Sequence, residues 1–200
     1  MLTSGDLSFT RSLTLSGPGA QSLAISGGKS GHIVRVLSNI NVAISDLSFI
    51  NSNTGQTGYG FLENEGTLTL TNSIVSGNTS SGLGGGITNQ GKLTLINSTV
   101  SRNSAQHGGG ISNYTSRELT LINSTISENV ASGLGGGIYD YEIRDHHTSI
   151  ISCTIRGNTA QDGGGIFVDG GHSIEVSKSH ITGNHAPKDP NTYGKIISSQ

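Results

Sequence analysis

Six ionisable residues crowd one stretch of this chain: Asp140, Glu142, Arg144, Asp145, His146 and His147 all fall within YDYEIRDHHT, residues 139–148. Carboxylates beside an arginine are the residue types of acid–base chemistry on a sugar chain, and carboxylates can also hold the cation that neutralises a uronate. Adjacent His146 and His147 point to opposite faces of an extended segment, which makes shared ligation of one metal ion awkward without a turn. Tyr139 and Tyr141 in the same stretch, with Phe167 further on, add rings of the kind that stack on a sugar face. Three readings compete, a polysaccharide lyase or hydrolase site, a metal site and a solvated loop on a rigid frame, with noncatalytic carbohydrate contact weighed beside them. Calcium enters only under the lyase reading, and no other cofactor is expected.

What must position these residues is a repeat. Asn53, Asn78, Asn103, Asn129, Asn158 and Asn184 recur at intervals of 25, 25, 26, 29 and 26 residues, and their surroundings recur with them. GKLTLINSTVSRNSAQHGGGISN (Gly91 to Asn113) and RELTLINSTISENVASGLGGGIYD (Arg117 to Asp140) show the unit clearly. Each copy holds an LTL segment of period two, an NST-(V/I)-S-x-N segment and a GGGI segment, so three short strands are expected per unit. Strands of three to five residues cannot fold alone. Stacking each on its counterpart one unit later makes three parallel sheets around one core, with coils about 4.8 Å apart. The expected fold is an all-β parallel solenoid with three short strands per coil of about 25–29 residues.

The asparagines fit the bends between sheets, where the side-chain amide can bond both local backbone and the Asn one coil away. Asn64, Asn89, Asn113 and Asp140 form a second such column. Cys153 stands in the column of Ser48, Ser73, Ser98, Ser124 and Ser179 and reads as a buried, inert small residue. The sequons at Asn78, Asn97, Asn113 and Asn123 arise largely from the repeat and are read as accidental. Residues 1–200 read as one domain: irregular coils over 1–52, regular repeats over 53–184, and over 185–200 either a C-terminal tail or the start of a further segment, with Ile196-Ile197 as a candidate last strand.

The repeat also shows where it is interrupted. From the apolar residue of the GGGI strand to the end of the next LTL strand takes 8, 8, 10, 12 and 10 residues on successive units, and the longest version is the ionisable stretch itself. Elsewhere, His107 and Asp162 occupy equivalent positions two coils apart, roughly 10 Å, too far for a good catalytic pair.

Composition agrees with a narrow solenoid interior: 31 Gly, 3 Pro, no Trp and 4% aromatic residues. The net charge is −2 and the 11 basic residues are scattered, so the electrostatic footprint of a nucleic-acid binder is missing. No apolar run approaches the roughly 20 residues of a membrane helix.

The tandem LTLxNSTISxNxA…GGGI unit, from about Leu13 to Asn184, resembles the right-handed parallel β-helix proteins of bacteria. These have a pectin-lyase-like coil, and their repeats occur in large secreted or surface-anchored proteins such as polymorphic outer-membrane adhesins. The resemblance implies a secreted or cell-surface module acting as a stiff spacer or adhesive surface, nonenzymatic, with a polysaccharide or cell-surface glycan as its partner; the tail PNTYGKIISSQ resembles the start of a segment that follows such repeats in anchored surface proteins, which implies an excerpt of a longer protein. The alternative it implies is a pectin-lyase-like polysaccharide lyase or hydrolase. The paired Asp motifs and Gly-His-Gly element of such hydrolases do not occur in this sequence.

Overall fold

The computed structural model describes residues 6–28, 34–55, 58–114, 118–141 and 147–199, and there the chain coils as a parallel solenoid. Each strand stacks on its counterpart about 26 residues further along, giving about seven turns and three long sheets, with a short two-stranded sheet of Ser104–Ala105 and Val130–Ala131 beside them. Sheet A has eight strands from Leu7–Phe9 to Thr192–Tyr193, sheet B eight from Leu13–Ser16 to Lys195–Ser199, and sheet C seven from Ala24–Ser26 to His180–Thr182. Past residue 185 the chain still adds strands, Thr192–Tyr193 to sheet A and Lys195–Ser199, with Ile196-Ile197 inside it, to sheet B.

Period two decides which side chains form the core. In sheet B, Leu68, Leu93 and Leu119 stack on one another, as do Leu70, Leu95, Leu121 and Ile150, all at 0–1% exposure. Thr69, Thr94 and Thr120 alternate with them and face outward. Residues this buried are expected to lose about 2–5 kcal/mol on truncation to Ala.

Side chains, rather than strands, hold the corners. Asn78, Asn103, Asn129, Asn158 and Asn184 are at most 4% exposed. Asn103 shows the unit of the ladder. Its Oδ1 accepts from the backbone N–H and the Nδ2 of Asn78, both at 3.0 Å, and its Nδ2 donates to Val75 O at 3.0 Å and Asn129 Oδ1 at 3.1 Å. The last rung, Asn184, donates to Asn191 Oδ1 at 3.2 Å. A second ladder closes the corner between sheets A and B: Asn64 to Asn89 at 2.7 Å, Asn89 to Asn113 at 2.8 Å, and Asn113 to Asp140 at 2.9 Å. The third is made of hydroxyls, Ser98 N to Ser124 Oγ at 3.1 Å and Cys153 N to Ser179 Oγ at 2.9 Å, with the Cys153 Sγ accepting from Ser124 N at 3.4 Å. Cys153 is 1% exposed, and burial pushes its thiol pKa up.

Asn53 does not belong to the first ladder. It is exposed and pairs with Thr79, while Ser52 fills the rung and donates its N–H to Asn78 Oδ1 at 3.0 Å. The register moves by one residue throughout that coil: Phe49, not Ile50, stacks on Val75, and Leu47, not Ser48, takes the serine position beside Ser73.

Two further columns explain residues that stacking alone does not. Asn72, Asn97 and Asn123 have φ of 49°, 50° and 50° at the exposed corner between sheets B and C, the left-handed region that Asn tolerates best after Gly. This accounts for the repeated NST without invoking a modification. At the next corner, Arg102 and Glu128 sit at φ of 53° and 57°, where neighbouring coils carry Gly77 and Gly157 at 67° and 65°.

Asn103→Ala is expected to lower the free energy of unfolding by about 3 kcal/mol or more, since it strands several buried polar groups. Asn53→Ala should stay within about 0.5 kcal/mol of the parent. Denaturant midpoints measured on both variants check this. Glu128→Gly relieves left-handed strain of about 1–2 kcal/mol against a glycine entropy cost of about 0.5–1, so its melting temperature should rise.

Candidate functional site

The ionisable stretch emerges at the corner between sheets A and B, after strand Ile138–Tyr141 and before strand His147–Ile151. Glu142, Arg144, Asp145 and His146 lie outside the described residues. The flanking strands fix the others, and they do not form one cluster.

Asp140 is not a loop charge. It is 0% exposed and forms the rung of the second ladder that accepts from Asn113, with His172 Nε2 at 3.8 Å from its Oδ1. His147 begins its strand on the outer face of sheet B, in the column of Glu118, and its Nε2 lies 3.6 Å from Glu175 Oε2.

Tyr139 and Phe167 do stack on the outer face of sheet A, 5.9 Å apart, and Tyr193 continues the stack at 4.4 Å from Phe167. They make no open platform, however, being only 8% and 6% exposed. The cover is an outer layer formed by the segments around the glycine runs. Gly108 shows why glycine is required there: φ is 63°, and a Cβ would come within 2.4 Å of Ile111 O. The layer carries its own column, Leu83 against His107 and Leu134 against Asp162, with Asp162 paired in turn to Lys188. His107 lies 5.3 Å from the Tyr139 ring, and Lys188 Nζ 4.8 Å from that of Tyr193. Burial pushes the Tyr139 phenol up to about 12, with the nearby Asp169 adding to it.

His107 and Asp162 are therefore layer residues, with Leu134 between their coils. The His107 Nδ1 accepts from Leu134 N at 3.1 Å and Asp162 Oδ2 accepts from Lys188 Nζ at 3.0 Å, so both are engaged in stacking contacts. Among the described residues, no group of three or more His, Cys, Asp or Glu is arranged to hold a metal ion.

What stays accessible at this corner is a different aromatic pair. Tyr114 and Tyr141 stack at 5.4 Å with 14° between their planes, both half-buried, and Tyr139 lies 6.0 Å from Tyr141. Sequence reasoning missed Tyr114, although the signal was present: it follows ladder residue Asn113 as Tyr141 follows Asp140.

Compared with known families, residues 24–200 match the model described as a right handed beta helix region. The chain belongs to this β-helix family. The match spans most of the solenoid and includes the tail, which agrees with the strands the tail contributes to sheets A and B. Comparison of the β-helix with curated proteins and with solved structures gave no match in either case.

One consequence of the outer layer can be measured. Burial lowers the His107 pKa from its ordinary 6.5. Above about pH 6.5 the ring is neutral in both folded and unfolded chains. As pH falls below that value, the unfolded chain takes up the proton first, so the stability from neutral His107 declines and is lost through the lower folded-state pKa. Between pH 7.5 and 5, the parent's unfolding midpoint should therefore fall more steeply than that of His107→Gln. Equal slopes would show that the His107 contact is immaterial.

Proposed function

We propose that this β-helix is a nonenzymatic module of a secreted or cell-surface protein, a stiff spacer whose sheet A–sheet B corner adheres to a polysaccharide or cell-surface glycan. The stiffness follows from continuous side-chain ladders at three corners. The adhesive role is carried by the Tyr114–Tyr141 stack, two near-parallel rings one coil apart at the corner where the repeat varies in length. Aromatic faces bind the C–H faces of sugars, and rings held by a neighbour lose little freedom on binding. A long, shallow contact of this kind also suits a spacer, which gains avidity when several modules engage one chain.

The second ladder and the outer layer support a nonenzymatic role: Asp140 in the ladder and His107 and Asp162 in the layer, which look like acid–base groups in the sequence, are engaged in holding the coil together. In a glycan-binding assay, Tyr141→Ala is expected to weaken binding about tenfold, the loss of about 1.4 kcal/mol. Unfolding midpoints should show that the variant is folded. Unchanged binding in both Tyr141→Ala and Tyr114→Ala would contradict the proposal, as would new reducing ends or unsaturated products after incubating the parent protein with polysaccharide.

A further inference from the structure

Beside the tyrosine pair, the same corner is indented. On the coils at Glu65–Gly66 and Gln90–Gly91 only two residues connect the strand ending in Asn64 or Asn89 to the strand beginning at Thr67 or Lys92. The preceding coil uses four, Leu37 to Ile40. The short turns sit low and leave a cleft of about 650 Å³ that crosses four coils. Three coil steps make it about 14 Å long. Its floor is bare backbone, because the turns stack too closely for side chains there: a Cβ on Gly91 would come within 2.0 Å of Gly66 O.

Two rows of side chains line the cleft. One is the column that follows the second ladder, Glu65 and Gln90, and it runs on into Tyr114 and Tyr141. The other is the outermost column of sheet B, with Asn41, Thr67, Lys92 and Glu118 in parallel register. A groove of carboxylate, amide and hydroxyl groups at the coil pitch therefore leads directly onto an aromatic stack.

We infer that this cleft binds an extended, uncharged polysaccharide chain lying along the solenoid axis, an inference that rests on the glycan-adhesive function proposed above and names its site and ligand class. Uncharged sugar hydroxyls both donate and accept, which matches walls offering carboxylate and amide acceptors beside amide and hydroxyl donors. Wall positions recur at the coil pitch, so consecutive sugar units of one strand each meet a polar side chain, an amide, hydroxyl, ammonium or carboxylate according to the coil. A chain that leaves the groove at Gln90 meets the rings of Tyr114 and Tyr141.

Charge selects against the acidic alternative. The walls hold two carboxylates, Glu65 and Glu118, against one ammonium, and that ammonium is already spoken for, with Lys92 Nζ 2.7 Å from Glu118 Oε2. Glu65 Oε2 accepts from Ser38 Oγ at 3.2 Å, which leaves its charge in place. A polyuronate or sulfated chain would bring like charge into this cleft, which disfavours binding.

The test is calorimetric or NMR titration of the folded chain with neutral cello-, manno- and xylo-oligosaccharides from disaccharide to hexasaccharide, and with oligogalacturonates of the same lengths. The expected result is that at least one neutral series binds, that affinity rises by about tenfold or more from disaccharide to hexasaccharide, and that the matching oligogalacturonate binds more weakly. Thr67→Trp, which fills the groove, and Gln90→Ala, which removes one wall amide, should each weaken the hexasaccharide while leaving the unfolding midpoint near that of the parent. If both variants bind as the parent does while Tyr141→Ala fails, or if the galacturonates bind more tightly, the groove inference is overturned and the adhesive function stands. If no series binds at all, both fall.

Discussion

Every coil of this solenoid must turn three corners, and at each corner backbone groups are buried where no strand partner can reach them. An unpaired buried amide costs about 1–3 kcal/mol, so a stack of seven turns left unsatisfied at its corners could not be stable on its narrow core. The remedy is a side chain that bonds its own coil and the next at once. Asn does this at two corners and Ser at the third; the first ladder runs from Ser52 to Asn184, and the second spans the four coils from Asn64 to Asp140. Because each rung faces an equivalent rung one coil away, the requirement fixes residue type and spacing together. It is the reason the sequence repeats.

The same requirement governs where function can reside. Residues with chemical potential are drawn into stacking wherever a ladder or the outer layer passes. Asp140 accepts from Asn113 within the second ladder, and His107 accepts from Leu134 on the next coil of the outer layer. Cys153 serves as one more rung among serines. The corner between sheets A and B is the exception. Its ladder stops at Asp140, beyond which Val168 stands in the column, and its turns vary in length from coil to coil. Variation there is tolerated because the strands on either side keep their register, and Ser38 and Asn39 of the four-residue turn are exposed. The low turns at Gly66 and Gly91 and the paired rings of Tyr114 and Tyr141 both follow from that freedom.

Much of the architecture was legible from residues. Period two in the LTL segments gave the inward leucines, and recurring asparagines marked the corners, because ladder and core positions tolerate few substitutions. Legibility failed where one residue type stands in for another. Ser52 replaces Asn, Phe49 replaces Val and Leu47 replaces Ser on a single coil, and together they shift its register by one residue relative to a spacing read from Asn53. Surface chemistry was harder to read. Tyr139 and Phe167 alternate outward as the pattern requires, but a sequence does not show that the glycine segments fold back to cover them. The indentation beside Gln90 follows from the two shortest of the intervals counted in the sequence, but spacing alone does not show that such turns open a cleft.

If side-chain ladders hold the solenoid together, their rungs behave as part of the core rather than as surface turns. Native-state hydrogen exchange of the backbone amides of Asn78, Asn103, Asn129 and Asn158 tests this directly, since each donates to the Oδ1 of the next rung at 2.9–3.0 Å. Their protection is predicted to match that of the buried sheet B strands, with opening free energies close to that of global unfolding. Exchange as fast as that of exposed corner amides, with the sheets still protected, would contradict the claim that side-chain ladders hold this solenoid together.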